Sequence, residues 1–87
     1  MSLIEQFDTA AEKVKTFTKR PSDEELLQLY ALYKQATVGD NNTSKPGVFD
    51  LKGKAKWDSW AQQKGKAQEA SRQEYVALVA KLTAVYE

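Results

Sequence analysis

The sequence predicts an all-α fold, a four-helix bundle with one long connection between its second and third helices. Three observations lead there. Apolar residues recur every three or four positions in four separate stretches, which is the spacing of one helix face. Two of those stretches open on a serine with a glutamate three residues later, Ser2 with Glu5 and Ser22 with Glu25. That pairing is the reciprocal capping pattern of a helix start. No stretch reads as a strand, and there is no internal repeat or low-complexity tract.

The first helix is expected from about Leu3 to Phe17, with Ile4, Phe7, Ala11, Val14 and Phe17 on one stripe. It should end before Arg20-Pro21, because the residue ahead of a proline is pushed out of the α region. The second starts at Ser22. Asp23, Glu24 and Glu25 fill its first turn, where the helix dipole favours negative charge, and Gly39 closes it near the C′ position. Leu26, Leu27, Leu29, Tyr30, Leu32, Tyr33 and Ala36 make an apolar arc wider than one-sided packing needs. One flank can serve the core and the other a ligand groove.

Residues 40–52, DNNTSKPGVFDLK, carry turn chemistry and form a loop long enough to suggest a function. Val48 and Phe49 are expected to pin it to the core. The third helix is expected from about Gly53 to Lys64, with Ala55, Trp57, Trp60 and Ala61 apolar, and Gly65 breaks it. The fourth runs from about Ala67 to Tyr86. Tyr75, Val76, Val79, Leu82 and Tyr86 form its inner face, flanked by Leu78 and Val85. The first and fourth helices should pack through Phe7, Ala11, Val14 and Phe17 against Tyr75, Val76, Val79 and Leu82.

Composition narrows the function. The chain has 87 residues, no cysteine and no histidine. The length fits one domain, residues 1–87. Without cysteine there is no disulfide, thiol nucleophile or thiolate metal site, and without histidine the commonest general base and metal ligand are missing. No catalytic constellation is visible, so no enzyme activity and no metal are expected. No apolar run approaches the roughly 18 residues of a membrane span, and MSLIEQFDTA lacks the basic and apolar regions of a secretory signal. A soluble, cytoplasmic, monomeric protein is expected. The net charge is only +1, yet Lys45, Lys52, Lys54, Lys56, Lys64 and Lys66 face just Asp50 and Asp58 between residues 45 and 66. So local a basic zone suits one compact anion better than a nucleic-acid backbone, and no nucleic acid is expected as a partner.

The most informative stretch is Tyr30–Trp60. Tyr30, Tyr33 and Lys34 fall at i, i+3 and i+4, one helix face. After the loop, Lys52, Lys54 and Lys56 precede Trp57 and Trp60. Aromatic faces beside ammonium groups suit a planar, phosphorylated ligand such as a nucleotide. From spacing alone Tyr33 fits a core aromatic as well as a stacking platform, and any single lysine fits a solvated surface.

YALYKQATVGD followed by KPGVFDLKGKAKWDSW resembles the acyl-CoA-binding proteins, including the diazepam-binding-inhibitor type, and the resemblance runs from Phe7 to Tyr86. It implies an up-down-down-up bundle with the long crossover between helices two and three. It implies non-catalytic binding, transport and pool-keeping of medium- to long-chain fatty acyl-CoA, with no cofactor beyond that ligand. Transient contact with acyl-CoA-using enzymes or membranes follows, without stable insertion. By the resemblance Tyr33 stacks on adenine, Tyr30, Lys34 and Lys56 meet the 3′-phosphate, and Lys15 lies near the nucleotide. Tyr75 would lie near the acyl chain while also serving the core. Phe7, Ala10, Leu26, Leu27 and Leu29 are candidates for the acyl groove, and Trp57 and Trp60 read mainly as packing. Two departures are visible: Asn41 stands where many members carry an apolar residue, and no methionine lies near Leu26.

Overall fold

The capping chemistry read from the sequence sets the helix starts. A computed structural model describes residues 1–87, with α1 at Leu3–Val14, α2 at Asp23–Thr37, α3 at Leu51–Ala61 and α4 at Gln68–Tyr86. Both capping boxes form. The Ser2 hydroxyl accepts from the Glu5 amide at 3.1 Å while the Glu5 carboxylate accepts from the Ser2 amide at 3.1 Å. Ser22 and Glu25 do the same at 3.2 and 2.8 Å. α3 starts two residues earlier than expected, because the Asp50 carboxylate caps it by accepting from the Gly53 amide at 3.0 Å. α1 stops at Val14, three residues early, where the amides of Lys15, Thr16 and Phe17 bond three residues back instead of four. That tighter turn still leaves Phe17 packed against the core. Gly39, at φ 95°, ends α2 and donates to the Lys34 and Gln35 carbonyls.

Hydrogen bonds between elements give the topology. The amides of Thr18 and Lys19, just past α1, both donate to the Tyr86 carbonyl at 3.1 Å, so α1 and α4 end together. The Tyr86 hydroxyl donates to Glu25 Oε1 at 2.6 Å, placing the start of α2 at the end of α4. At the opposite pole Trp60 Nε1 donates to the Gly39 carbonyl at 2.8 Å, so α2 and α3 end side by side and run parallel. The order is up, down, down, up, and residues 38–50 make the crossover that a parallel neighbour requires.

Packing follows the same order: α4 lies against both α1 and α2, and α3 lies against α2. Phe7, Ala10, Leu29, Leu32, Ala36, Tyr75, Val79 and Leu82 form the core, with Ala11, Val14, Phe17 and Val76 partly buried around it. The expected α1–α4 interface is present. The molecule measures 38 × 28 × 15 Å, thin against a helix diameter of about 10–12 Å. In so flat a bundle α3 is an edge element, and its inner side can form a groove wall.

The loop is held differently from expectation. Val48 and Phe49 do not pin it; they are 72% and 97% exposed. Polar bonds do the holding. Trp57 Nε1 donates to the Thr43 carbonyl at 3.1 Å, and Asn41 Nδ2 donates to the Trp57 carbonyl at 3.2 Å. Asn41 Oδ1 also accepts from the Thr43 amide at 3.0 Å. An apolar side chain at position 41 could make neither bond. Buried Gln35 ties the pole together: its Nε2 donates to Asp40 Oδ1 and to the Lys66 carbonyl, both at 2.9 Å. The Gly65 amide donates to the same Asp40 oxygen at 2.9 Å.

Those bonds, the Gly65 amide first and Gln35 second, hold the Asp40 carboxyl below its ordinary value of 3.8. A depressed carboxylate contributes stability above its unfolded value and loses it as pH falls through its folded value. Asp40→Ala should therefore lower the urea midpoint at neutral pH without changing its slope, because both bonds to the Asp40 carboxylate are lost. The gap between variant and parent should narrow as acid protonates the Asp40 carboxylate, below its ordinary value of 3.8.

Candidate functional site

α2 presents three faces, and two of them border depressions. Leu29, Leu32 and Ala36 face the core. Leu26, Leu27 and Tyr30 line a groove of about 590 Å³ whose other wall is Leu51, Lys52, Ala55 and Lys56 on α3. Arg20 and Asp23 stand at its polar end, paired at 2.8 Å. Tyr33 lies instead in a second depression of about 380 Å³, with Tyr75 from α4, Ala11 and Val14 from α1, and Lys15 just past its end.

Tyr33 is built as a platform. Its ring stacks on Phe7 with centroids 5.4 Å apart and planes 19° from parallel. Tyr75 abuts it at 5.8 Å and 58°, and also meets Phe7 at 5.0 Å. Core aromatics thus fix the ring, while 41% of the residue stays exposed. Tyr75 is buried, and burial, with the neighbouring Tyr33 in second place, pushes its phenol up to about 12.

The lysines rest on aromatic faces. Lys34 Nζ lies 5.1 Å from the Trp60 ring centroid, and Lys56 Nζ lies 5.3 Å from that of Tyr30. Neither takes part in any of the five ion pairs. A cation held over a ring keeps its charge available to an incoming anion. Lys15 differs: its ammonium pairs with Glu12 at 3.1 Å on the surface, a contact worth little and easily exchanged.

The expected site residues therefore divide. Tyr30 and Lys56 border the larger groove with Leu26 and Leu27; Tyr33, Tyr75 and Lys15 form the smaller depression; Lys34 lies beside Trp60. Phe7, Ala10 and Leu29 line neither. They are 4, 7 and 5% exposed, because their helix faces turn inward, and they support the depressions from within. Several lining residues escaped the sequence reading. Leu51 was assigned to the loop, although Asp50 as a cap would have placed it in α3. Arg20 and Asp23 carry no motif signal beyond a helix boundary. Lys52, one of the lysines of the basic zone, lines the groove itself.

Geometry and fold together define a small helical bundle with an apolar groove, an aromatic platform and lysines resting on aromatic rings. The acyl-CoA-binding protein family model ("Acyl CoA binding protein") matches residues 4–79. An acyl-CoA-binding protein homolog from Drosophila melanogaster is 67% identical over 82 residues, 94% of this chain and 95% of that one. The acyl-CoA-binding protein of Saccharomyces cerevisiae is 52% identical over 80 residues, 92% of each. The crystal structure of Oryza sativa acyl-CoA-binding protein 2 superposes with a TM-score of 0.91 at 44% identity, covering 95% of this chain and 92% of that one. The chain belongs to the acyl-CoA-binding protein family.

The Tyr75 environment has an alkaline consequence. A phenol raised from 10.0 to about 12 keeps its proton in the fold at a pH where the unfolded chain has lost it. Stability is then fully present below pH 10 and falls as pH rises toward 12. Tyr75→Phe should flatten that part of the stability curve. In ultraviolet titration of the folded parent, a tyrosine ionisation step should appear near pH 12. Loss of that late step in Tyr75→Phe assigns it.

Proposed function

We propose that this protein binds the coenzyme A esters of medium- to long-chain fatty acids without transforming them. It acts as a cytoplasmic monomer that carries them, keeps their pool in solution, and meets acyl-CoA-using enzymes or membranes only transiently. The observation that carries this reading is the juxtaposition of an apolar groove with the Tyr30–Lys56 pair on its wall and the Tyr33 platform one helical turn away. An acyl-CoA offers the same three chemistries: a hydrocarbon tail, clustered phosphates and a planar adenine.

Each part has a role. Tyr33 stacks on the adenine. Tyr30, Lys34 and Lys56 hold the 3′-phosphate, the phenol donating one bond and the ammonium groups charge-assisted ones. Lys15 leaves Glu12 to approach the nucleotide. The tail covers Leu26 and Leu27, with Phe7, Ala10, Leu29 and Tyr75 behind or beside the ligand as packing. Burying an alkyl chain contributes about 0.8 kcal/mol per CH₂, so a sixteen-carbon tail supplies on the order of ten kcal/mol at most. Hydrogen bonds to charged groups give about 1.5–3 kcal/mol each, less where exposed. The tail sets affinity, and the nucleotide contacts set which tailed molecule is accepted.

Calorimetric titration with palmitoyl-CoA, free CoA and palmitate tests this. Palmitoyl-CoA should bind one to one and far more tightly than either fragment, and affinity should climb with acyl length. Equal affinity for the fragments would refute the reading. Tyr33→Ala should weaken palmitoyl-CoA by about 1–3 kcal/mol, the range of base–aromatic stacking, with folding intact because the ring is partly exposed. Added salt should change binding only modestly, since a nucleic-acid-type steep salt dependence requires many phosphate contacts.

A further inference from the structure

The crossover ends in an apolar turn that the fold leaves uncovered. Val48, Phe49 and Leu51 are 72, 97 and 75% exposed. The turn is fixed in shape: the Asp50 amide donates to the Gly47 carbonyl at 3.0 Å, and the Asp50 carboxylate caps α3. Three large apolar side chains are thus held out in water within four residues, at a place where sequence logic would bury them. Isolated exposed apolar residues need no explanation, but a contiguous group does.

We propose that the turn Val48–Leu51 is a docking surface for an anionic lipid bilayer, with Phe49 as the inserted anchor. The charge around it selects that partner. Between residues 45 and 56 Lys45, Lys52, Lys54 and Lys56 outnumber a single acid, Asp50, whose carboxylate is occupied by the helix cap, while Asp58 and Asp23 lie further off in the chain. Lys52 and Lys54 take part in no ion pair, and Lys45 only in a long 3.6 Å contact with Asp58. Apolar anchors with lysines close by in the chain fit the boundary between acyl chains and anionic headgroups, where each basic residue adds attraction. A stable protein partner would need about 800 Å² on each side, more than a four-residue turn offers.

The position deepens the carrier reading, on which its use depends. Leu51 and Lys52 belong both to the turn and to the groove wall. A bilayer touched by Phe49 lies at the mouth of that groove, and an acyl tail can pass between the two with little exposure to water.

Co-sedimentation of the full chain, free of ligand, with two kinds of vesicle tests the proposal. It should associate with phosphatidylcholine–phosphatidylserine vesicles, hardly with pure phosphatidylcholine, and less as salt rises. The double variant Val48→Ser/Phe49→Ser should lose at least about tenfold in partitioning, given the apolar area removed. Its melting temperature and its affinity for palmitoyl-CoA in lipid-free solution should be unchanged, since both side chains lie outside the core and the groove. Equal binding to both vesicle types, or vesicle binding by the double variant equal to the parent, would overturn the proposal. So would a concentration-dependent dimer in sedimentation velocity that the double variant abolishes, since a second copy would then cover the turn. Failure of palmitoyl-CoA to bind while vesicle association persists would sink the carrier reading and leave the docking surface standing.

Discussion

The buried Gln35 carboxamide joins three segments at one pole of the molecule, and the groove depends on that junction. Through Asp40 and the Lys66 carbonyl it ties the end of α2 to the start of the crossover and to the turn before α4. Trp60 adds the end of α3 through the Gly39 carbonyl. With α2 and α3 fastened at their C-terminal ends, their N-terminal halves stand apart and leave the space between Leu26, Tyr30, Ala55 and Lys56. Hydrogen bonds suit this task better than apolar packing. They fix position without filling volume, and an unmade bond at a buried group is costly enough to keep the pole closed.

A thin bundle requires α2 to serve several neighbours. Its core stripe satisfies α4, its α3 side forms the groove, and Tyr33 faces the space bordered by α1. The core that remains is one cluster of eight buried residues. The opposite pole compensates through the Tyr86 hydroxyl on Glu25 and the Tyr86 carbonyl on two amides of the α1–α2 connection. The hydroxyl bond, ahead of the Ser22 amide, holds the Glu25 carboxyl below its ordinary value, and the same bond raises the Tyr86 phenol. One carboxylate therefore caps α2 and anchors α4.

Helix number, order and core face were legible in the sequence because they rest on local signals: serine–glutamate boxes, glycine stops and apolar spacing. Motif and resemblance singled out Tyr30, Tyr33, Lys34 and Lys56, and the fold sets Tyr30 and Lys56 on the groove wall, Tyr33 in the second depression and Lys34 beside Trp60. Gln35 and Asp40 were not, because a glutamine on a helix and an aspartate after a glycine look like ordinary surface residues until the chain returns at Gly65–Lys66. Val48 and Phe49 misled for the opposite reason. Hydrophobicity argues for burial, but the Asp50 cap and the short turn before it aim both side chains outward. Phe7, Ala10 and Leu29 show a third limit, since periodicity marks the inner face of a helix without telling core from groove.

Amide chemical-shift mapping of the labelled protein during titration with palmitoyl-CoA tests most directly whether the open halves of α2 and α3 hold the ligand. The account predicts that the largest changes fall on Leu26–Lys34 and Leu51–Lys56, with Lys15 and Tyr75 following, and that Gly65–Lys66 at the fastened pole stays nearly still. Changes centred on Gly65–Lys66, with the α2–α3 groove unperturbed, would contradict it.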